Sequence, residues 1–383
     1  MKTLSTAIAV LLLLPTFALA QFDGPAELPR RAPLLSISSP NPPKTVGPTD
    51  SLQAAINTAV AGDTFLVDPT NVTTGQLTFP NLGPACDPGN GITIRTSGTL
   101  AETATHRVIP GQPMPKIVVR GSLAMAGGTC LMLYGIEVLR LPGTGTIYNL
   151  YQPNTGSTNI LLDHVYFHGT PTDETVRGIY TGGGVKNLTV ENSYFADFHC
   201  KALGTCGDAQ AINCGIGDGP DSGNYLFQNN YLEGAAENFI CGGGGDQFTP
   251  TDITLQDNDI VKPSRWNPLS PDYAGIPWIV KNFVEFKNCV RCLVQRNRLI
   301  GDWGGYSQLG YGFLVTAKNQ NGNCPVCTVT DITIRQNWMS TSGQFAQIAL
   351  VPSGTGDWAK DQARISVHDN HPRGTRFEIE LPA

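Results

Sequence analysis

Long amphipathic helical patterns are almost absent from this 383-residue chain, which excludes a helical bundle or a helical solenoid as its main architecture. Charge is scarce too: 15% of residues are Asp, Glu, Lys or Arg, and the net charge is −6. The lysines and arginines are dispersed and form no basic run, so binding to a phosphate backbone is excluded as the main task. No apolar stretch beyond the first 20 residues looks transmembrane. There is no serine nucleophile elbow and no zinc-protease helix. The run Gly242 to Gly245 is not a phosphate loop, because Asp246-Gln247 follows it where such a loop needs Lys-Ser/Thr. It reads as a tight turn or a place of close approach.

What is present begins with MKTLSTAIAVLLLLPTFALA. Lys2, an apolar core over residues 7–14 and the small residues Ala18 and Ala20 make the three parts of a secretory signal peptide at 1–20. The mature protein is expected to be secreted, periplasmic or at the cell surface. About 360 residues then remain, enough for one large domain. Gly (43) and Pro (28) are abundant, a turn-rich and strand-rich composition. All ten cysteines lie in the mature part. An even number in an exported chain implies disulfides or buried thiols. The pairs CVRC (289–292) and CPVC (324–327) also have zinc-ligand spacing, and spacing alone leaves the pairing open.

Residues 21–48 are rich in Pro and Ser without periodicity and read as a flexible leader. In TDSLQAAINTAVAGDTFLVD, Thr49 or Asp50 is placed to cap a short helix, with Gln53 near the capping-box position. Leu52, Ala55, Ile56 and Ala59 form its apolar face, and Gly62-Asp63 turns it into a strand.

From there one phrase recurs: NILLDHVYF (159–167), NLTVENSYF (187–195), NYLFQNNYL (224–232), DITLQDNDI (252–260), RCLVQRNRL (291–299), DITIRQNWM (331–339) and RISVHDNHP (364–372). Asn230, Asn258, Asn297, Asn337 and Asn370 share one column, at spacings of 28, 39, 40 and 33 residues; Ser193 and Val165 hold it in the earlier copies. A second strand precedes each phrase, as in QAINCGIG (210–217), ENFICGGGG (237–245), NFVEFKN (282–288) and GFLVTAKN (312–319). Self-similarity at this period marks a solenoid in which each unit is one coil and stacking buries a common column. The fold class is therefore all-β: a single-stranded right-handed parallel β-helix over 49–383, with the short helix as its N-terminal cap. The Asn column is expected to be structural, an amide ladder at a tight corner. RFEIELPA (376–383) alternates like a last strand with no cap after it, so that end is expected to meet a partner or further chain.

The entry SLQAAIN…AGDTFLV followed by Asn-turn coils resembles the pectin-lyase-like superfamily of right-handed β-helices, over residue 49 to the end. Features such as DAQAI (208–212), AENFICGG (236–243), KPSRW (262–266), VKNFVEFKN (280–288) and GDWGGYSQLGYG (301–312) resemble bacterial exported β-helix repeat proteins of no established activity. The superfamily's lyases, glycosidases, epimerases and tailspikes imply a carbohydrate partner without selecting a reaction. Asp163-His164 resembles the Ile-Asp-His strand of pectate lyases, but the downstream Arg-x-Pro-x-x-Arg is missing, as are the polygalacturonase signatures.

Departures from the repeat mark the candidate site. Asp208, Glu237, Lys281, Glu285 and Lys287 are candidate catalytic residues, and Gln210, Asn238, Lys262, Trp266, Asn282, Trp303 and Gln308 candidate substrate contacts. They fall on consecutive levels of one sheet, so their side chains should stand about 5 Å apart. Hydrolysis needs two carboxyls roughly 5–10 Å apart across a groove. A lyase needs a cation against the uronate carboxylate and a base for the C5 proton, a role open to Lys281 or Lys287 if its pKa is lowered. The acids could also hold calcium; no other cofactor is implied. The expected function is action on polysaccharide or a cell-surface glycan, as a lyase or glycosidase. The alternative is a non-catalytic glycan-binding or adhesion protein, favoured if the acids pair fully with lysines. Oligomeric state is not legible.

Overall fold

The computed structural model describes the chain except residues 1–24, 31–34, 102, 154–155, 183, 202–205, 215–221, 302, 304–309, 319–322, 341–342, 350–360, 373–376 and 381–383. The signal peptide and Gln308 lie outside the described residues. The rest coils into three parallel sheets, one of 11 strands and two of 10. In each, neighbours come from successive coils, so every crossover passes through the other two sheets. This is a right-handed parallel β-helix, the hand that parallel crossovers almost always take. The recurring phrase supplies the first sheet, for instance Gly223–Gln228 beside Thr251–Gln256 and Cys289–Gln295. The short segment after each Asn supplies the third sheet, and the strand before each phrase supplies the second.

The corner between the first and third sheets takes two residues. The first of them has positive φ: Asn229 (52°), Asp257 (58°), Arg296 (54°), Gln336 (57°) and Asp369 (54°). The second is the repeated Asn, turned inward and buried. Asn258 shows the pattern. Its Oδ1 accepts from the backbone N and the Nδ2 of Asn230 at 2.8 and 3.1 Å. Its Nδ2 donates to the Phe227 carbonyl and to Asn297 Oδ1 at 3.0 and 2.9 Å. Asn297 and Asn337 repeat these bonds, and Ser193 N–H closes the row on Asn230 Oδ1 at 3.0 Å. Each amide thus satisfies the main-chain groups that a sharp corner would strand away from water.

The apolar residues form one continuous column from Val46 to Ile348. Its N-terminal end is closed by the helix Leu52–Ile56, which buries Leu52 and Ile56. Ser51, not Thr49 or Asp50, is the cap: its Oγ accepts from Ala54 N at 3.2 Å, while the Asp50 carboxylate is taken by Gly47 N at 2.7 Å. Gln53 instead bonds Thr78, on the adjoining strand, at 2.8 Å. The stretch read as a leader is laid along the coil. Lys44–Val46 pairs with Thr64–Val67, and Ser38 N donates to the Pro88 carbonyl at 2.8 Å. Phe377–Glu380 is the last described strand of the second sheet, paired with Gln344–Ala349.

Replacing Asn258 by Ala strands the buried Asn230 N–H and Phe227 carbonyl, at about 1–3 kcal/mol each. We expect N258A to lower unfolding free energy by about 2–4 kcal/mol in guanidinium titrations, and N370A, at the half-exposed end, by less. Equal losses at both positions would show that the ladder is not what holds the corner.

Candidate active site

The strands of the second sheet do not alternate strictly. Two consecutive residues turn inward between two that face out. An added Cβ on Gly178 would meet the Phe195 and Phe198 rings at 2.9 and 3.0 Å, and Ile179 beside it is also in the core. Ala211 with Ile212 and Phe283 with Val284 repeat the pattern. The outward positions are therefore i and i+3, and stacking makes two polar columns of them. In the first, Asn149, Arg177, Gln210 and Glu237 are register partners. In the second, Tyr180, Asn213, Ile240, Glu285 and Leu314 are.

Hydrogen bonds knit the columns together. Arg177 Nε donates to Gln210 Oε1 at 3.1 Å, and Gln210 Nε2 donates to Glu237 Oε2 at 2.8 Å. Asn213 Nδ2 also donates to Gln210 Oε1, at 3.3 Å, and Asn282 Nδ2 to Glu285 Oε2 at 3.2 Å. Lys287 Nζ pairs with Glu285 Oε1 at 2.7 Å, and Lys281 Nζ clasps both Asp208 oxygens at 2.7 and 2.6 Å. Lys287 reaches its partner across Gly243, whose absent Cβ would lie 3.2 Å from the lysine Cδ. The disulfide Cys214–Cys241 joins register partners on the strands that carry Gln210 and Glu237, and so fixes their relative level.

Burial and neighbouring charge split the two glutamates. Glu237 has its carboxyl pushed up to about 8, by burial first and then by the charges of Asp208 and Glu285. For Glu285 burial pushes upward as well, but the Lys287 ammonium and hydrogen bonds from Lys287, Asn282 and Glu237 hold it below the usual carboxylate range. Each carboxyl feels the other's charge, and burial with that repulsion favours the protonated form of Glu237. Lys287 is raised: its burial is outweighed by Glu285 and Glu237. Lys318 is lowered, by burial and then by the charge of Lys287.

Seven of the residues singled out in the sequence thus meet here: Asp208, Gln210, Glu237, Lys281, Asn282, Glu285 and Lys287. Four others stand apart from the polar columns. Lys262 is buried with its ammonium on the carbonyls of Gly234, Ala235, Ala236 and Asn282 at 2.6–3.2 Å, which holds a corner. Asn238 donates inward to the Leu232 and Val261 carbonyls. Trp266 packs in a satellite core with Ala235, Trp278 and Val280, and Trp303 lies against that core. Arg177, Asn213 and Lys318 belong to the site and were not singled out. Lys318 N donates to the Lys287 carbonyl, so the lysine sits one coil beyond Lys287.

Calcium does not fit these acids, because Asp208 and Glu285 are each closed by an ammonium and Glu237 Oε2 is taken by the Gln210 amide. The cysteines form five disulfides among themselves: Cys86–Cys130, Cys200–Cys206, Cys214–Cys241, Cys289–Cys292 and Cys324–Cys327. Both CxxC pairs close internally, which removes the thiolates a zinc site would need.

No protein-family signature matches the chain, and no curated protein matches it. Among solved structures, the pectate lyase Pel9A aligns with TM-score 0.47 at 15% identity over 88% of this chain and 80% of its own. A GH136 lacto-N-biosidase from Eubacterium ramulus gives 0.45 at 14%, over 89% and 68%. An alginate lyase from Paenibacillus sp. str. FPU-7 gives 0.43 at 13%, over 88% and 99%. Likeness at this level bears on neither reaction nor substrate.

The raised carboxyl has a consequence for stability. Between pH about 4.5 and about 8 the folded protein holds a proton on Glu237 that the unfolded chain has released, so stability falls as pH rises through that window. We expect Glu237→Gln to flatten this fall and to be more stable than the wild type at pH 8 and above, in thermal or denaturant unfolding. An unchanged pH slope in the variant would mean that Glu237 is ionised in the fold.

Proposed function

We propose that the chain is an exported protein that acts on acidic polysaccharide at the outer face of the second sheet, and that it does so by elimination. The observation that carries this reading is the buried Glu237, its carboxyl pushed up, set among cations. Arg177, Lys281 and Lys287 gather around it with Asp208 and Glu285, so the patch leans electropositive on a chain of net charge −6. A uronate carboxylate supplies the missing negative charge. Lys318, whose charged form is disfavoured, is the base that takes the C5 proton. As the C4–O4 bond breaks, its electron pair goes to O4, Glu237 protonates that oxygen, and a C4–C5 double bond remains. Hydrolysis is served less well, because it needs a second carboxyl free to act as base or nucleophile and Glu285 is closed by the Lys287 ammonium at 2.7 Å.

Export is supported by the leader pattern at 1–20 and by five disulfides, which persist in oxidising compartments. No described helix is long and apolar enough to cross a membrane. One observation favours a second reading, glycan binding without turnover: Asp208 and Glu285 are each closed by a lysine.

Incubating the purified protein with uronans and neutral polysaccharides, while following ultraviolet absorbance of unsaturated ends and new reducing ends, separates these readings. Elimination predicts both signals on a uronan and a fall in rate above pH about 8 as Glu237 ionises. Glu237→Gln and Lys318→Met should each lower kcat by at least about 100-fold. Reducing ends without unsaturation would make it a hydrolase, and retention of polymer without products would leave only binding.

A further inference from the structure

The outer face of the 11-stranded sheet carries a cleft of about 980 Å³ that the proposed reaction does not use. Leu28, Pro29 and Leu35 roof it. Beside Leu28 and Pro29 the backbone is tied to the sheet: Glu27 N donates to Asp331 Oδ1 at 3.0 Å and Arg30 N to Asp252 Oδ1 at 2.9 Å. Its floor is two columns of register partners. One alternates hydroxyl and isobutyl, Thr189, Leu226, Thr254 and Leu293. The other is Gln228, Gln256 and Gln295, which runs between Glu191 and Arg335.

The glutamines bond in one direction. Arg335 donates to Gln295 Oε1 through Nε and Nη2, at 3.0 and 2.9 Å. Gln295 Nε2 donates to Gln256 Oε1 at 2.9 Å, Gln256 Nε2 to Gln228 Oε1 at 3.1 Å, and Gln228 Nε2 to Glu191 Oε2 at 2.7 Å. An amide has two N–H donors and two acceptor lone pairs. Gln256 and Gln228 therefore each keep one donor and one acceptor beyond the row. The roof's backbone bonds go to Asp252 and Asp331, not to these amides. Of the charged groups that line the cleft, Asp252 pairs with Arg291 and Arg296 with Asp257, Arg335 is held on Gln295 Oε1, and Arg30 stands at the edge beside the N-terminal residues.

We propose that this cleft is a second carbohydrate site, and that it takes a neutral glycan strand. A carboxylate or phosphate would satisfy the spare N–H groups and leave the lone pairs bare; an ammonium would do the reverse. A hydroxyl donates and accepts, so it completes both. Rungs repeat at the coil spacing, about 4.8 Å, so a strand laid along the helix axis meets a fresh amide at each level. Leu226 and Leu293 give its C–H faces an apolar seat at alternate levels. The site is on a different sheet from Glu237, so the two can fail independently.

Native affinity electrophoresis tests it, with xyloglucan, mixed-linkage β-glucan and galactomannan as neutral probes and polygalacturonate and alginate as acidic ones. At least one neutral polymer should retard the wild type and Glu237→Gln alike. Gln256→Leu should weaken that retardation at least tenfold. So should Thr254→Trp, which fills the cleft without touching the glutamine row and covers the case in which Gln256→Leu does not fold. The proposal is overturned if no neutral polymer retards the protein, if only acidic ones do, or if folded Gln256→Leu and Thr254→Trp, checked by their thermal melts, migrate like the wild type.

Discussion

In-register parallel stacking is the constraint on which everything else in this molecule depends. A coil alone cannot bury its apolar residues, and its corners strand main-chain donors. Stacking settles both at once: the apolar column closes over its neighbours, and the Asn row caps each corner with the amide of the next level. The same repetition acts on outward side chains. Residues 21 to 48 positions apart become vertical neighbours, so an outward face is built as columns, not as loops.

Columns have electrostatic consequences. A row of like amides can be satisfied along its length, as Gln228, Gln256 and Gln295 are. Carboxyls at adjacent levels cannot both stay charged cheaply once they are dry. Glu237 and Glu285 divide under that conflict: the first is pushed up and bonded to Gln210, the second is held down and bonded to Lys287. Environments that push two carboxyls apart in this way are a pattern of acid–base sites. It arises here from strand register, with a disulfide between Cys214 and Cys241 holding that register.

Much of this is legible in the amino-acid sequence, because a solenoid writes its geometry as self-similarity. The coil, the capping helix and the role of Asn230, Asn258, Asn297 and Asn337 follow from aligned repeats alone. The seven residues that the structure gathers also stand out, since charged and amide side chains are out of place in a strand that should be tolerant or apolar. Reading fails where local geometry departs from the repeat. Lys262 and Trp266 lie just past a strand, and Asn238 at an inward strand position, where a polar or aromatic side chain can turn in and serve the backbone or a satellite core. Arg177 and Lys318 escape notice because the outward period is three and not two. Two adjacent inward residues, such as Gly178 and Ile179, leave no composition signal that tells them from ordinary alternation. The pairing of Cys214 with Cys241 is likewise a matter of register, and spacing alone does not give it.

Two faces of one coil then differ: a patch of buried acids and cations on the second sheet, and an uncharged amide row beneath Leu28, Pro29 and Leu35 on the first. Both presuppose that residues far apart in the chain are vertical neighbours. A double-mutant cycle on Asp208 and Lys281, 73 residues apart and joined by two short bonds, tests that most directly. Measuring unfolding free energies of Asp208→Asn, Lys281→Met and the double variant should give a coupling of about 1 kcal/mol or more. Additivity within about 0.3 kcal/mol would contradict the register, and with it the site.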